Sequence, residues 1–120
     1  MNYEEVIQET LGYIEENLHE SLTLDVLSKR AGFSKFHFHR VFRSVLGMSV
    51  NEYIRMRRLA NASVALLHTN ERIIDIAFYY QFASQEVFTR AFKQHYHLPP
   101  GKYRKLMSNL LKQKEESETN

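Results

Sequence analysis

The sequence contains no cysteine, which excludes a disulfide framework and a thiolate metal site. No apolar run reaches membrane-spanning length. The stretch Met1–Ser28 holds seven acids and no lysine or arginine, so it lacks the basic start of a secretory signal. Together these absences point to a cytoplasmic protein that does not engage a membrane. Glycine and proline are scarce, at 4 and 2 residues. There is no glycine loop to cradle a phosphate, no paired-carboxylate pattern and no nucleophile beside a base. The residues therefore build no enzyme site and require no cofactor. His37-Phe38-His39 and His95-Tyr96-His97 invite a metal, but side chains two apart on a helix do not share a face. At 120 residues the chain is one domain, or two subdomains of about 50 residues that are marginal alone.

What the chain does have is charge, sorted along its length. Lys29–Leu111 carries fourteen lysines and arginines against four acids, whereas Lys112–Asn120 is slightly acidic. The net charge of +2 therefore conceals a strongly basic body behind an acidic leader. A basic body points to a polyanionic partner. Any solvated surface carries charge, but segregation this sharp needs a further reason.

One stretch organises the rest. Ser34 to Leu46 reads as a helix in which Phe38, Val41, Phe42 and Val45 form an apolar stripe for a core. Phe36, His39, Arg40 and Arg43 have the same spacing, rotated away, and make a cationic face with one ring. A helix that is apolar on one side and rich in donors on the other suits the major groove of DNA. The stretch recurs: Phe38-His39-Arg40-Val41-Phe42-Arg43 matches Phe88-Thr89-Arg90-Ala91-Phe92-Lys93, 50 residues later.

The whole chain reads as all-α, with seven helices. The first runs from Tyr3 to Leu18, with Ile7, Leu11, Ile14 and Leu18 inward and glutamates outward. Thr23 caps a second, burying Leu24, Leu27 and Ala31, and Gly32 ends it in a left-handed conformation. Ser34 caps the third. Two short helices joined by a turn with glycine form a helix-turn-helix. Gly47 ends the third helix, and Ser49-Val50-Asn51-Glu52 is a capping box for a fourth, to about Leu67. That helix has Tyr53, Met56, Ala60, Val64 and Leu67 available to pack. A fifth spans about Ile73 to Tyr80, with Ile73, Ile76 and Ala77 inward. Ser84 caps a sixth, to about Tyr96, and Pro100 opens a seventh through Tyr103 and Leu106. The polar run from Lys112 is expected to fray.

The organisation that follows is an N-terminal helix-turn-helix subdomain over 1–48, a linker helix over 49–68, a C-terminal helix-turn-helix subdomain over 69–111 and a polar tail over 112–120. The register of the repeat contains one slip. Phe33 matches Phe82 at an offset of 49, whereas Ser34 matches Ser84 at 50, so the second turn holds one extra residue. Gly32 becomes Gln81 and Thr23 becomes Arg72, a poor N-cap, which predicts that the second copy is the less stable.

These residues resemble the AraC/XylS family of bacterial transcription regulators over roughly Ile7 to Arg104. The most specific part is Arg72-Ile73-Ile74-Asp75-Ile76-Ala77 through Phe82-Ala83-Ser84-Gln85-Glu86-Val87-Phe88-Thr89-Arg90-Ala91-Phe92-Lys93, then Pro99-Pro100-Gly101-Lys102-Tyr103-Arg104. The resemblance implies two helix-turn-helix subdomains joined by a long helix, bound as a monomer to adjacent major-groove segments of double-stranded DNA. The chain also looks like the small stand-alone members that activate multiple-antibiotic-resistance and stress genes by recruiting RNA polymerase. Its length leaves no room for a ligand domain, so activity is expected to follow the amount of protein made. Phe36 stands where those members often have Trp, His39 where they often have Gln, and Glu86-Val87 replaces a more polar pair. These departures bear on the operator sequence, not on the fold.

The base-reading candidates are Phe36, His39 and Arg40 in the first copy, and Gln85, Glu86, Thr89 and Arg90 in the second. Arg40 suits guanine O6 and N7, Gln85 adenine, Glu86 the cytosine amine and Phe36 a thymine methyl. Ser34, Lys35, Arg43, Ser84 and Lys93 are the phosphate candidates, the serines through helix N-terminal N–H groups. Alternatives stand beside several of these. Phe36 suits a satellite core, Glu86 suits a helix N-terminus, and Arg55, Arg57 and Arg58 suit either phosphate or a solvated face. The first copy, with better caps and a more cationic face, is expected to supply the larger share of affinity and specificity. A repressor, the DNA-binding end of a larger sensor, or a helical adaptor for protein or RNA are the competing functions. An adaptor would not need a cationic helix duplicated in register.

Overall fold

The computed structural model describes residues 2–119 and holds, among them, helices and no strand. The elements are α1 (Tyr3–Glu16), α2 (Leu24–Ala31), α3 (Lys35–Leu46), α4 (Val50–His68), α5 (Ile73–Tyr79), α6 (Gln85–Tyr96) and α7 (Pro100–Thr119). The chain divides into two compact units, Met1–Arg58 and Leu59–Asn120, with the boundary inside α4. No described helix is long and apolar enough to cross a membrane.

In unit 1, α1, α2 and α3 pack on one another. The core holds Val6, Ile7, Ile14, Leu18, Leu22, Leu27, Phe38, Val41 and Phe42, closed by Val50 and Ile54 from the start of α4. Local chemistry sets the helix ends. Asn2 caps α1 by accepting from the Glu5 N–H, and Thr23 caps α2 by accepting from Val26. Ser49 accepts from the Glu52 N–H at 3.1 Å, as the capping box requires.

In unit 2, α5 and α6 pack together and α7 packs on α6. The core joins Leu59, Ala62 and Leu66 of α4 to Ile76, Ala77, Phe88, Ala91 and Phe92. Rings dominate its edge. Tyr103 meets Phe92 at 5.1 Å and Tyr96 at 5.4 Å between centroids, and Phe82 meets Phe88 at 5.0 Å. Arg72 makes no side-chain cap and instead forks onto Asp75, with Nε 2.9 Å from the carboxylate.

Several expectations need correction. On α4 the buried residues are Val50, Ile54, Leu59, Ala62, Ser63 and Leu66, not the row from Tyr53 to Leu67, and Val64 is exposed. Polar residues, among them Glu52, Arg55, Arg57, Arg58 and Asn61, are spread around the helix rather than gathered on one side, and its successive turns serve different cores. Val45 is exposed because α3 has passed the edge of its core by that turn, and Leu11, Leu24, Ala31 and Ile73 are only half-buried. Thr10, Ser28 and Ser63 are buried instead. Each hydroxyl donates to a carbonyl of its own helix, which removes the cost of burial. The run from Lys112 continues α7 as helix to Thr119 rather than fraying. Lys112 with Glu116 and Lys114 with Glu118 fall four residues apart, a spacing that supports a helix.

Candidate nucleic-acid interface

The α2–α3 turn is built by backbone geometry. Gly32 takes φ 76°. Its N–H donates to the Lys29 carbonyl, and the Phe33 N–H donates to Ser28 at 3.0 Å, which closes α2 with a paired reverse bond. Ser34 then caps α3 by accepting from the His37 N–H at 3.1 Å. The α5–α6 turn repeats the plan: the Gln81 N–H donates to Phe78, Phe82 donates to Ala77, and Ser84 accepts from Val87. Gln81 adopts φ 68°, so the left-handed position expected from the repeat is occupied by a residue with a β-carbon. Ala83 is the extra residue between Phe82 and Ser84.

These turns fix which face of each second helix is outward. On α3, Phe38, Val41 and Phe42 are buried, while Lys35, Phe36, Arg40 and Arg43 are exposed and His39 is half-buried. Phe36 is 71% exposed, so it is not a satellite core residue. Its ring lies 5.5 Å from the Arg40 guanidinium carbon, close enough to restrain that side chain. Lys35 is tied back to α2. Its ammonium is 3.4 Å from Asp25, which also holds Lys29 at 3.3 Å. The hydrogen bond from Lys29, reinforced by Lys35, holds the Asp25 carboxyl below its ordinary range. His37 turns away from this face and packs between Tyr3 and Phe33, at 5.6 and 4.6 Å between ring centroids.

On α6, Phe88, Ala91 and Phe92 are buried, and Gln85, Glu86, Arg90 and Lys93 are exposed with Thr89 half-buried. The structure gathers these five outward residues around one open concavity of about 600 Å³. Ser34 and Ser84 use their hydroxyl oxygens as acceptors for their own helix caps, which leaves the hydroxyl O–H as a donor beside the N–H groups of each helix start. Glu86 lies in the first turn of α6, where a carboxylate also favours the helix.

The linker arginines divide by role. Arg57 forks onto Glu15 at 2.7 and 3.0 Å, and Arg58 donates to the carbonyls of Leu18 and Glu20 at 3.0 and 2.8 Å. Both are structural ties within unit 1, and Arg55 is exposed. Burial lowers the Arg58 pKa from its usual range. Arg104 does in unit 2 what Arg58 does in unit 1, donating to Leu66 at 2.8 Å and Glu71 at 2.7 Å. Beyond its place in the Pro99–Arg104 run, nothing in the sequence around Arg104 marks this role.

Two helix-turn-helix units, each presenting the outer face of its second helix, define a duplicated helix-turn-helix protein. A family model described as a helix-turn-helix domain matches residues 27–106. The chain is 56% identical over 117 residues to an uncharacterized HTH-type transcriptional regulator, YbfP, of Bacillus subtilis. That match covers 98% of this chain and 40% of YbfP, so the chain spans well under half of that relative. The HTH-type transcriptional activator AarP of Providencia stuartii is 44% identical over 99 residues, covering 82% of this chain and 73% of AarP. The multiple antibiotic resistance protein MarA of Escherichia coli is 40% identical over 104 residues, covering 87% and 80%. Among solved structures, an AraC-type regulator from Chromobacterium violaceum superposes with a TM-score of 0.79 at 26% identity, covering 84% of this chain and 90% of that one. The DNA-binding domain of AdpA, solved with a target DNA, gives 0.78 at 25% identity, covering 82% and 89%. The chain belongs to the AraC/XylS family of helix-turn-helix transcription regulators.

Proposed function

We propose that the chain is a cytoplasmic, non-enzymatic transcription activator that binds double-stranded DNA as a monomer and places α3 and α6 in adjacent major-groove segments. The observation that carries this is the duplicated outward face: Phe36, His39, Arg40 and Arg43 on α3, and Gln85, Glu86, Thr89, Arg90 and Lys93 on α6. Phe36, His39, Arg40, Gln85, Glu86, Thr89 and Arg90 read bases. Arg43, Lys93, Lys35 and the helix starts at Ser34 and Ser84 grip phosphate. Lys35 must leave Asp25 to do so, exchanging one anion for another. AarP is an activator by name and MarA belongs to antibiotic resistance by name, which favours activation of stress or drug-resistance genes here. RNA polymerase is the partner of that activity, and the acidic outer side of α1 is the candidate surface for it. A second reading, the DNA-binding end of a larger sensor, is favoured by the fraction of YbfP that this chain spans.

The test is footprinting on promoter fragments of the source genome at several salt concentrations. Protection of two adjacent major-groove segments, about one helical turn apart, is expected. Binding that shows no preference over competitor DNA at any salt concentration defeats the proposal. Transcription from a bound promoter with purified polymerase, with and without the protein, separates activation from repression.

A further inference from the structure

The exposed ridge of α6 does not stop at Lys93. Beside the concavity that gathers Gln85 to Lys93 lies a second, of about 520 Å³, lined by Arg90, Lys93, Gln94 and His97. The two share Arg90 and Lys93, so the second continues the first toward the C-terminal end of the helix. His97 forms its far end and is exposed.

The backbone at His97 is unusual. It is the C-cap of α6, at φ 70° and ψ 3°, and its N–H donates to the Lys93 carbonyl at 2.7 Å. In unit 1 the matching place is Gly47, at φ 75°, with the matching bond to Arg43. Glycine is the residue that a left-handed helix end selects, because a β-carbon is disfavoured there. Histidine is among the side chains that tolerate this conformation better than most, so the cap admits it without requiring it. What histidine adds is a ring N–H donor at the end of the row formed by Arg90 and Lys93. Its neighbour His95 is used differently, packing its ring on Tyr96 at 4.7 Å.

We propose that His97 is a further DNA contact of unit 2, donating from its ring to a backbone phosphate next to the one that Lys93 meets. This rests on the DNA-binding reading and adds to it a residue with no counterpart in unit 1. Because the contact is to phosphate, it raises affinity without base preference.

The test compares His97→Gly and His97→Asn with the wild-type chain, on the best-bound promoter fragment and on unrelated duplex DNA. His97→Gly relieves the left-handed strain, so its melting temperature should hold or rise. Its affinity should fall about two- to tenfold on both duplexes, the share of one hydrogen bond. His97→Asn tolerates the same backbone and keeps a donor, so it should lose less. The inference is overturned if His97→Gly binds both duplexes as tightly as wild type, or if its loss is confined to the promoter fragment. It is also overturned if His97→Gly loses affinity only together with melting temperature and His97→Asn is equally weak. Wild-type chain without preference for any promoter fragment would instead defeat the DNA-binding reading itself.

Discussion

Arg104 gives the sharpest prediction about stability. Leu66 lies in the last turn of α4, where a carbonyl has no partner within the helix, and Arg104 Nε donates to it at 2.8 Å. The second bond reaches the Glu71 carbonyl at 2.7 Å, so one guanidinium ties the end of α4 and the chain entering α5 to α7. A hydrogen bond to a charged group contributes about 1.5–3 kcal/mol. Glu71 is exposed and water can replace that bond, whereas Leu66 is buried at 1% exposure. Most of the loss therefore falls on one bond, and Arg104→Ala should cost about 2 kcal/mol. Arg104→Lys should cost clearly less, though not nothing, because one ammonium can keep the Leu66 bond but cannot span both carbonyls in the fork geometry. A unit of this size loses roughly 4–8 °C of melting temperature per kcal/mol, so Arg104→Ala should melt roughly 8–16 °C lower by circular dichroism. Hydrogen exchange should show α5 and α6 losing protection while α3 keeps its own. A shift below about 2 °C, or a lysine variant as stable as wild type, refutes the reasoning. Arg58→Ala should reproduce the effect in unit 1, through Leu18 and Glu20.

The remaining predictions concern strain, readout and pH. Gln81→Gly should stabilise unit 2 by about 1 kcal/mol, seen as a higher melting temperature, and no change or a fall contradicts the strain argument. Arg40→Ala should relax preference at one base position, worth about 1–3 kcal/mol, whereas Arg43→Ala or Lys93→Ala should weaken binding to all sequences and reduce the salt slope by about 1. Preference unchanged in Arg40→Ala would remove that side chain from base reading. Asp25 has a folded pKa below its unfolded one, held down first by the Lys29 hydrogen bond and then by Lys35. Its stabilisation is therefore present above about pH 4 and is lost as pH falls through the lower folded value. Asp25→Asn should flatten the acid limb of a stability profile, and an unchanged acid limb counts against the ion pairs.

The parts legible in the sequence were those set by neighbours in the chain. Thr23, Ser34, Ser49 and Ser84 cap helices because a hydroxyl two or three residues from an unpaired N–H needs no tertiary partner. The left-handed Gln81 was legible only through its repeat partner Gly32, since glutamine alone signals nothing of the kind. The face of α4 was not legible, because periodicity selects a face only where one side is polar. Arg58 and Arg104 reach carbonyls 33 to 40 residues away, and a backbone carbonyl leaves no mark in the sequence. The outward placement of the α3 and α6 candidates followed from the stripe spacing. The tie of Lys35 to Asp25 did not, because it crosses a turn.

Set side by side, the two copies hold themselves together differently. Unit 2 gives up the favourable residue at three matched places, with Arg72 for Thr23, Gln81 for Gly32 and His97 for Gly47. Each left-handed residue with a β-carbon costs about 1–2 kcal/mol. Against this stands a continuous ring cluster: Phe82, Phe88, Phe92, Tyr96 and Tyr103 form a chain of neighbours with centroids 4.6 to 5.6 Å apart. Such pairs contribute about 0.5–1.5 kcal/mol each beyond their buried area, so the ring cluster can offset the strained turns. The division extends to the proposed contacts. Unit 1 offers Phe36 set beside Arg40, a restrained pair suited to discriminating bases. Unit 2 has Glu86 and an exposed Val87 at the same helix start, and Lys93 with His97 at the far end. On the proposed contacts, selectivity would lie more with α3, and His97 would add to the phosphate grip of α6 beyond its lysines and arginines. What the structure shows is a left-handed C-cap that sets His97 at the end of the concavity lined by Arg90 and Lys93, where the proposed contact would fall.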